Sequence, residues 1–430
     1  MYPPRFRVPY RLLRLREHAR ETLWVTPVAG LVLACLLWRL ALTADQELVT
    51  VLASTGIGVR DFTEDVKTIV TVISQAMLTF LGVVFSVSLV ALQMTSGQLT
   101  PRVVRIFVRS RITKLTLTVF LSTFVFSLLV LTSYNGGPDP DKAVPVPLIQ
   151  SAFTLLLVGL SLLLFIAYVT TTLRLMQVGP VVDHIARESL RVVERATTDS
   201  AGVPDLPAVV GLVRYEGRAG VLRDVDVARL VRCARRQGAV LRLLPRIGDY
   251  VMAGTALLEV YGGQGLPPAA SAASAVSLGP DRTSRQDLGF GLRQLADIAL
   301  RALSPAVNDP TTAVQCLDRI VHLLGALGQH PLGPVLHRDR HAHVRLVQTG
   351  PDWENVVDLG LGEIRVAAVA HAQVTRRMFA GIDDLLEVVP HHRAEPLLRH
   401  RTLLELAVNQ TLTHPADRAF ALQPDRQGIG

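Results

Sequence analysis

Apolar positions are bunched into four long runs before Met176 and then break into short periodic stretches. Ile69 to Val90 stays apolar over about the 20 residues needed to cross a bilayer core, and Leu115 to Leu131 does so again. Between them lies the turn Leu92 to Arg102, followed by Arg105, Arg109, Arg111 and Lys114 with no acid among them. This hairpin, Val66 to Tyr134, organises the chain. Trp24 to Leu42 predicts a first membrane helix and Leu148 to Val169 a fourth. Trp24 and Trp38 fall near the ends of the first, where indoles favour the interface, and Arg39 is placed to snorkel outward.

The polar segments between these runs set a predicted topology. Met1 to Glu21 carries Arg5, Arg7, Arg11, Arg14, Arg16 and Arg20. No small-residue cleavage site follows, so the first helix reads as an uncleaved anchor. Ala44 to Asp65 is acidic, Asn135 to Asp141 is a turn-rich loop, and Arg174 closes the fourth helix. Basic segments therefore alternate with acidic or neutral ones. The positive-inside rule then places both termini in the cytoplasm of a multi-pass protein of the bacterial inner (cell) membrane. The lipid bilayer is the expected partner, with anionic lipids at the basic segments and a homo-oligomer as the expected assembly.

Beyond Met176 the period changes. Gly179 to Ala201 reads as an amphipathic connecting helix. Val221-Leu222, Ala239 to Leu243, Val251 and Leu257 to Val260 read as strands, with a short helix at Asp226 to Arg236. The Gly248-Asp249-x-Val251-x-x-Gly254 spacing resembles turns of the small β-barrels of biotinyl and lipoyl carriers. Gly262 to Pro280 reads as a loop. Helices follow at Arg285 to Leu303, from Pro310 to about Gly325, Asp352 to Met378, Ile382 to Val389 and Pro396 to Thr411, with a strand at His341 to Val347.

The predicted fold class is an α-helical membrane domain of four transmembrane helices followed by a cytoplasmic α+β domain with a small β-barrel-like part and a helical part. The divisions are a basic N-terminus (1–22), the membrane domain (23–176), a connecting helix (177–204), a small mixed β domain (205–264), a mostly helical domain (265–415) and a flexible tail (416–430).

Composition narrows the chemistry. Cys35, Cys233 and Cys316 are far apart, which excludes a disulfide scaffold or thiolate zinc cluster. The net charge of +8 is carried almost wholly by arginine, because the chain has only Lys67, Lys114 and Lys142. After Lys142 there is no lysine for a P-loop, a Schiff base or a carrier prosthetic group. A GC-rich genome is a sufficient cause of the Arg and Ala bias.

Two motifs carry a resemblance. Leu92-Gln93-x-x-Ser96-x-Gln98-x-x-Pro101-Arg102 forms the hairpin turn. In the second half, Asp281 to Gly291 leads into Ala302-Leu303-Ser304-Pro305-x-x-Asn308-Asp309-Pro310-x-Thr312-Ala313. Together they resemble the bacterial membrane-protein family called domain of unknown function 2254, over nearly the whole chain. Thr100 stands where serine is frequent in that family, and Ala306 where glycine is usual. The resemblance implies the four-helix plus cytoplasmic-domain layout and supplies no activity.

Candidate functional residues fall in three groups. Gln75, Thr79, Gly82, Ser86, Gln93 and Ser96 recur on one face of the second helix. They read either as a pore lining or as a small-residue packing seam. The turn adds Gln98, Pro101, Arg102 and Arg105 as a basic mouth. Arg282, Ser304, Asn308, Asp309, Thr311 and Thr312 flank two helix ends, reading as an anion or ligand loop or as a capped turn. His330, His337, His341 and His343 are the densest histidines. His341 and His343 fall on one predicted strand face, as two metal ligands or as a solvated edge.

No nucleophile elbow, Walker loop or HExxH helix is present, and arginines dispersed among acids argue against nucleic acid. The expectation is therefore a non-enzyme without cofactor or metal. Channel-like transport under a cytoplasmic regulatory domain is the leading reading, and a membrane-anchored sensor or scaffold the alternative.

Overall fold

Water is absent from a bilayer core, so a chain that crosses it must close its backbone hydrogen bonds within each segment. The four apolar runs do this as helices: α1 (Val25–Ser54), α2 (Thr63–Gln98), α3 (Arg111–Tyr134) and α4 (Leu148–Met176). The computed structural model describes residues 24–54, 63–98, 111–134, 147–195, 204–283 and 286–427. It separates into two compact units, Met1–Gln177 and Val178–Gly430. The basic N-terminus and the turn residues Pro101, Arg102 and Arg105 lie outside the described residues.

Four stretches are long and apolar enough to span a membrane: Val25–Leu48, Glu64–Gln93, Arg111–Tyr134 and Leu148–Arg174. Leu33, Leu36, Leu40, Val72, Phe85, Leu156 and Leu163 point outward from them, as a lipid-facing surface requires. Helix α3 is the most enclosed. Its buried residues Thr113, Thr116, Phe120, Thr123, Ser127, Val130 and Tyr134 recur at steps of three and four, the spacing of a packed helical seam.

Lipid tails give little apolar drive to helix association, so contact geometry and hydroxyl bonds carry it. Gly30 lets α1 approach α3: a Cβ there would stand 2.3 Å from Thr118 Cγ2. Ser127 Oγ donates to Ser74 Oγ (3.1 Å), Ser88 pairs with Tyr168 Oη (2.6 Å) and Thr123 with Ser161 (3.1 Å). Tyr134 Oη pairs with Ser151 Oγ (2.9 Å). Asp45 of α1 is buried, and its two oxygens accept the Ile149 and Gln150 backbone N–H groups at the start of α4 (2.7 and 3.2 Å). A carboxylate from one helix thus caps another.

The second unit begins with α5 (Val178–Arg195), whose Val181, Val182, Ile185, Ala186 and Val193 are buried. Strands β1 (Val209–Arg214) and β2 (Gly220–Val225) precede α6 (Val227–Arg236), followed by β3 (Val240–Leu243), β4 (Tyr250–Val251) and β5 (Ala256–Tyr261). Next come α7 (Ala269–Ala273), β6 (Val276–Gly279), α8 (Phe290–Ala302), α9 (Pro310–Gln329), β7 (Val335–Arg338) and β8 (Val344–Gln348). Helices α10 (Trp353–Val357), α11 (Glu363–Ala368), α12 (Ala372–Val388), α13 (Ala394–Thr411) and α14 (Pro415–Ala421) complete it.

The strands make two open sheets rather than the barrel-like part expected from the Gly248–Gly254 turn. One has the order β1-β5-β3-β8-β7, the other β4-β2-β6. In the larger sheet β3 takes β8 as a parallel neighbour, Leu241 opposite Leu346, and β1 and β7 stand at its two ends without closing on each other. The sheet therefore draws on both sides of residue 264. Leu222, Leu230, Leu241, Leu243, Leu257, Leu258, Val260 and Leu346 share its core.

Three local expectations are corrected. The stretch 262–280 is not all loop, since α7 and β6 lie inside it and β6 pairs with β2. The helix expected over 352–378 is broken: a π-helical turn occupies Asp358–Gly362, and α12 begins afresh after His371. The start of the expected tail is ordered, because α14 docks through Arg376, which stacks on Phe420 (4.2 Å) and pairs with Asp425.

Replacing Asp45 by alanine strips the α4 amides of their acceptor in a dry setting and should cost about 1–3 kcal/mol. Thermal unfolding of the full chain in detergent measures this. Asp45→Asn, which keeps one acceptor, should lose less.

Candidate functional site

The polar residues of α2 divide by face. Val70, Ser74, Met77, Val84 and Ala91 are buried, at steps of four, three, seven and seven. Gln75, Thr79, Gly82, Ser86 and Gln93 are exposed, roughly 160° away around the helix axis. The stripe does not pack on α3 of its own chain. A Cβ at Gly82 would meet no atom within 4 Å, so nothing in this unit demands a glycine there. Thr79 Oγ1 turns back to the Gln75 carbonyl (3.3 Å). Ser96 and Gln98 lie in the last turn of α2, with side chains outside the described residues.

The second candidate group comes apart. Asp309 caps α9, accepting the Thr312 N–H (3.0 Å), and Pro310 occupies the first turn. Ser304 Oγ donates to the Arg301 carbonyl. Asn308 has φ +49°, and its N–H and that of Asp309 close on Ser304 and Ala302 carbonyls. Thr311 is exposed and Thr312 half-buried. Ser304, Asn308 and Asp309 thus form a capped interhelical turn, to which Ser304 and Asp309 give their side chains and Asn308 its backbone N–H.

Arg282 belongs elsewhere. Its Nε and Nη2 donate to Asp287 Oδ2 and Oδ1 (2.7 and 2.8 Å), and Asp287 Oδ1 also accepts the Gly289 N–H (3.1 Å). The Arg282 guanidinium stands 5.7 Å from the Phe290 ring centroid. Burial pushes the Asp287 carboxyl up, and the paired guanidinium and the Gly289 and Phe290 amides draw it back. Gly248 makes the pair possible: at φ +98°, a Cβ would lie 2.8 Å from Arg282 Nε and Asp287 Oδ2.

The pair forms one wall of a cavity of about 500 Å³. Arg246, Asp249, Arg282, Asp287, His337 and Gln348 are among its polar groups, with Ile247, Leu288, Leu332, Val335 and Leu359 between them. His337 Nε2 meets Gln348 Oε1 (3.1 Å), and burial lowers the imidazole, favouring its neutral form. Two arginines and two carboxylates leave the walls balanced in charge. Gln286, Asp287 and Gly289, all in the 281–291 motif, line this cavity. Spacing alone points to Arg282; the acid five residues on was the available signal for its partner.

The histidine pair is also relocated. His341 and His343 sit in the turn between β7 and β8, where Ala342 has φ +63°, rather than on a strand. Arg340 donates to His341 Nε2 (3.0 Å). Asp339 is held down to about 2 by Arg345 and the His341 and His343 amides. Among the described residues no group of three His, Cys, Asp or Glu converges to hold a metal.

Residues 20–384 match the family described as Predicted membrane protein (DUF2254). The chain belongs to this family. Two relatives are the uncharacterized proteins Mb1321c of Mycobacterium bovis and Rv1290c of Mycobacterium tuberculosis strain H37Rv. Each is 27% identical over 375 residues, covering 84% of this chain and 70% of the relative. No solved structure matches. The matched range takes in the four membrane helices and both motif regions, and the family's description names no reaction.

Arg282→Ala should leave Asp287 buried without its cation, costing about 3–5 kcal/mol, and Asp287→Asn in the same chain should recover part of that by removing the charge. Denaturation of the full chain in detergent reads both. His337 and His400 are each lowered by burial from an ordinary value of 6.5. Their stabilising effect is complete above that value and is lost as pH falls through it toward the folded values. Melting temperature should therefore drop as the buffer is taken from pH 7.5 to about 5, and less steeply in His337→Gln.

Proposed function

We propose that this chain is an oligomeric, channel-like protein of the bacterial cell membrane, with both termini cytoplasmic and the second unit regulating it. One observation carries the reading: Gln75, Thr79, Gly82, Ser86 and Gln93 all lie on the exposed side of α2. Amides and hydroxyls facing hydrocarbon are unfavourable unless bonded or wetted. Several copies of α2 around an axis supply both conditions. The span Glu64–Gln93 has no charged residue between Lys67 and Gln93, which favours a weakly selective aqueous path over a charge-coupled carrier. The balanced cavity beside Arg282 offers the second unit a place for a small polar effector.

Packing of the same stripe between copies would satisfy it without water, so the test must separate wet from dry. Cysteines are placed singly at Gln75, Thr79, Ser86 and Gln93 after removal of Cys35, Cys233 and Cys316. Each should react with a membrane-impermeant thiol reagent, whereas Val84→Cys, on the buried face, should not. Reconstituted liposomes should pass small ions, and Ser86→Leu should suppress the flux. Uniform protection with liposomes no leakier than empty ones would leave a scaffold as the function. Reporter fusions after Ala201 and at Ser110 should be cytoplasmic, and fusions near Thr55 and Asp139 external; periplasmic activity at Ala201 would sink the topology.

A further inference from the structure

Arginines of the second unit commonly meet a carboxylate. Arg282, Arg293, Arg345, Arg377 and Arg401 each hold one at 2.9 Å or closer. Helix α6 departs from that habit. Its sequence, VARLVRCARR, has no acid, and Arg229, Arg232, Arg235 and Arg236 are all exposed. Among the described residues, no carboxylate lies within 4.0 Å of these four guanidinium groups. The nearest acid in sequence, Asp226, is the helix cap and accepts the Arg229 N–H (3.0 Å). Leu230 and Ala234 are buried on the opposite side, so the arginines share the outer face.

Helix polarity accounts for only half of this arrangement. Arg235 and Arg236 occupy the last turn, where the negative end of the helix dipole welcomes cations. Arg229 stands in the first turn, where the same dipole opposes it, and Arg232 gains nothing from either end. A four-charge face with unfavourable members and no carboxylate partner among the described residues is suited to an external anion.

We propose that this face docks on the anionic phospholipid head groups of the bilayer that holds the first unit. Guanidinium pairs with phosphate through two parallel N–H donors, which suits a half of the chain that has no lysine. The spans of the first unit keep a bilayer surface at high effective concentration around the second. The face has no aromatic residue to stack on bases, which disfavours single-stranded nucleic acid as the occupant. It has no exposed apolar residue larger than alanine, so the contact is with head groups and not an insertion. The proposal rests on the membrane location of the chain and is independent of conduction.

The experiment uses the full-length protein in nanodiscs of phosphatidylcholine alone or of phosphatidylcholine with phosphatidylglycerol. Phenylglyoxal modification of individual arginines is followed by peptide mass spectrometry. Arg229, Arg232, Arg235 and Arg236 should react about fivefold more slowly in the anionic discs. That protection should vanish at about 1 M salt, where the screening length is roughly 3 Å. Arg340 and Arg426, exposed elsewhere on the unit, should react alike in both discs. In Arg232→Glu with Arg236→Glu, melting should be unchanged while Arg229 and Arg235 lose their protection. Equal rates in the two discs overturn the proposal. So does protection that appears only on adding a random-sequence oligonucleotide, which would make the occupant a nucleic acid.

Discussion

Hydrocarbon offers no hydrogen-bond partner, and that constraint governs the membrane unit more than any apolar contact does. Serines, threonines and tyrosines of α2, α3 and α4 therefore find one another: Ser74 with Ser127, Ser88 with Tyr168, Thr123 with Ser161, Tyr134 with Ser151. Asp45 extends the same logic to backbone by taking the first amides of α4. These pairs fix the rotation of each helix about its own axis. Once Ser74 and Ser88 face inward, Gln75, Thr79, Gly82 and Ser86 have no choice but to face outward. The exposed stripe is thus a consequence of the internal ladder.

In the second unit a single close contact has a similar reach. The Arg282–Asp287 pair closes the segment before α8 on itself and lies against the turn at Gly248, where the absent side chain of that glycine is what leaves room for it. Around the pair gather residues from β7, β8 and the loops that flank them, so the cavity has no counterpart in any one stretch of sequence. Burial of Asp287 and His337 keeps both away from their ordinary protonation behaviour and makes the walls sensitive to the loss of either partner.

The membrane helices were legible because length and apolar content suffice to define them. Strands β3 and β5 were legible because Leu241, Leu243 and Leu257 to Val260 form short apolar runs between turns. Strand β6 was not, since Val276-Ser277-Leu278-Gly279 sits in an Ala-Ser-Gly-rich stretch that reads as loop. The break in the helix over 352–378 was hidden for the opposite reason: its residues keep an apolar period through the π turn at Asp358–Gly362. Sheet closure was misjudged because a Gly-Asp turn is local, whereas the choice of β8 as the neighbour of β3 is not. The polar stripe followed from helical period, but the direction it faces depends on which hydroxyls pair across the bundle. The arginine face of α6 is plain in the sequence, yet only the fold shows that no carboxylate among the described residues comes within 4.0 Å of it.

The parallel pairing of β3 with β8 also sets a timetable. The Thr349 hydroxyl bonds the Leu243 carbonyl across 106 residues of chain. At ribosomal speeds of 5–20 residues per second, roughly 5–20 s separate the appearance of these two segments. For that interval the edge of β3 that β8 will take presents bare N–H and C=O groups, a template on which a neighbouring nascent chain could add a strand. Arg242, exposed on the sheet face at β3 and 3.9 Å from Glu259 of β5, keeps that face charged while the edge waits.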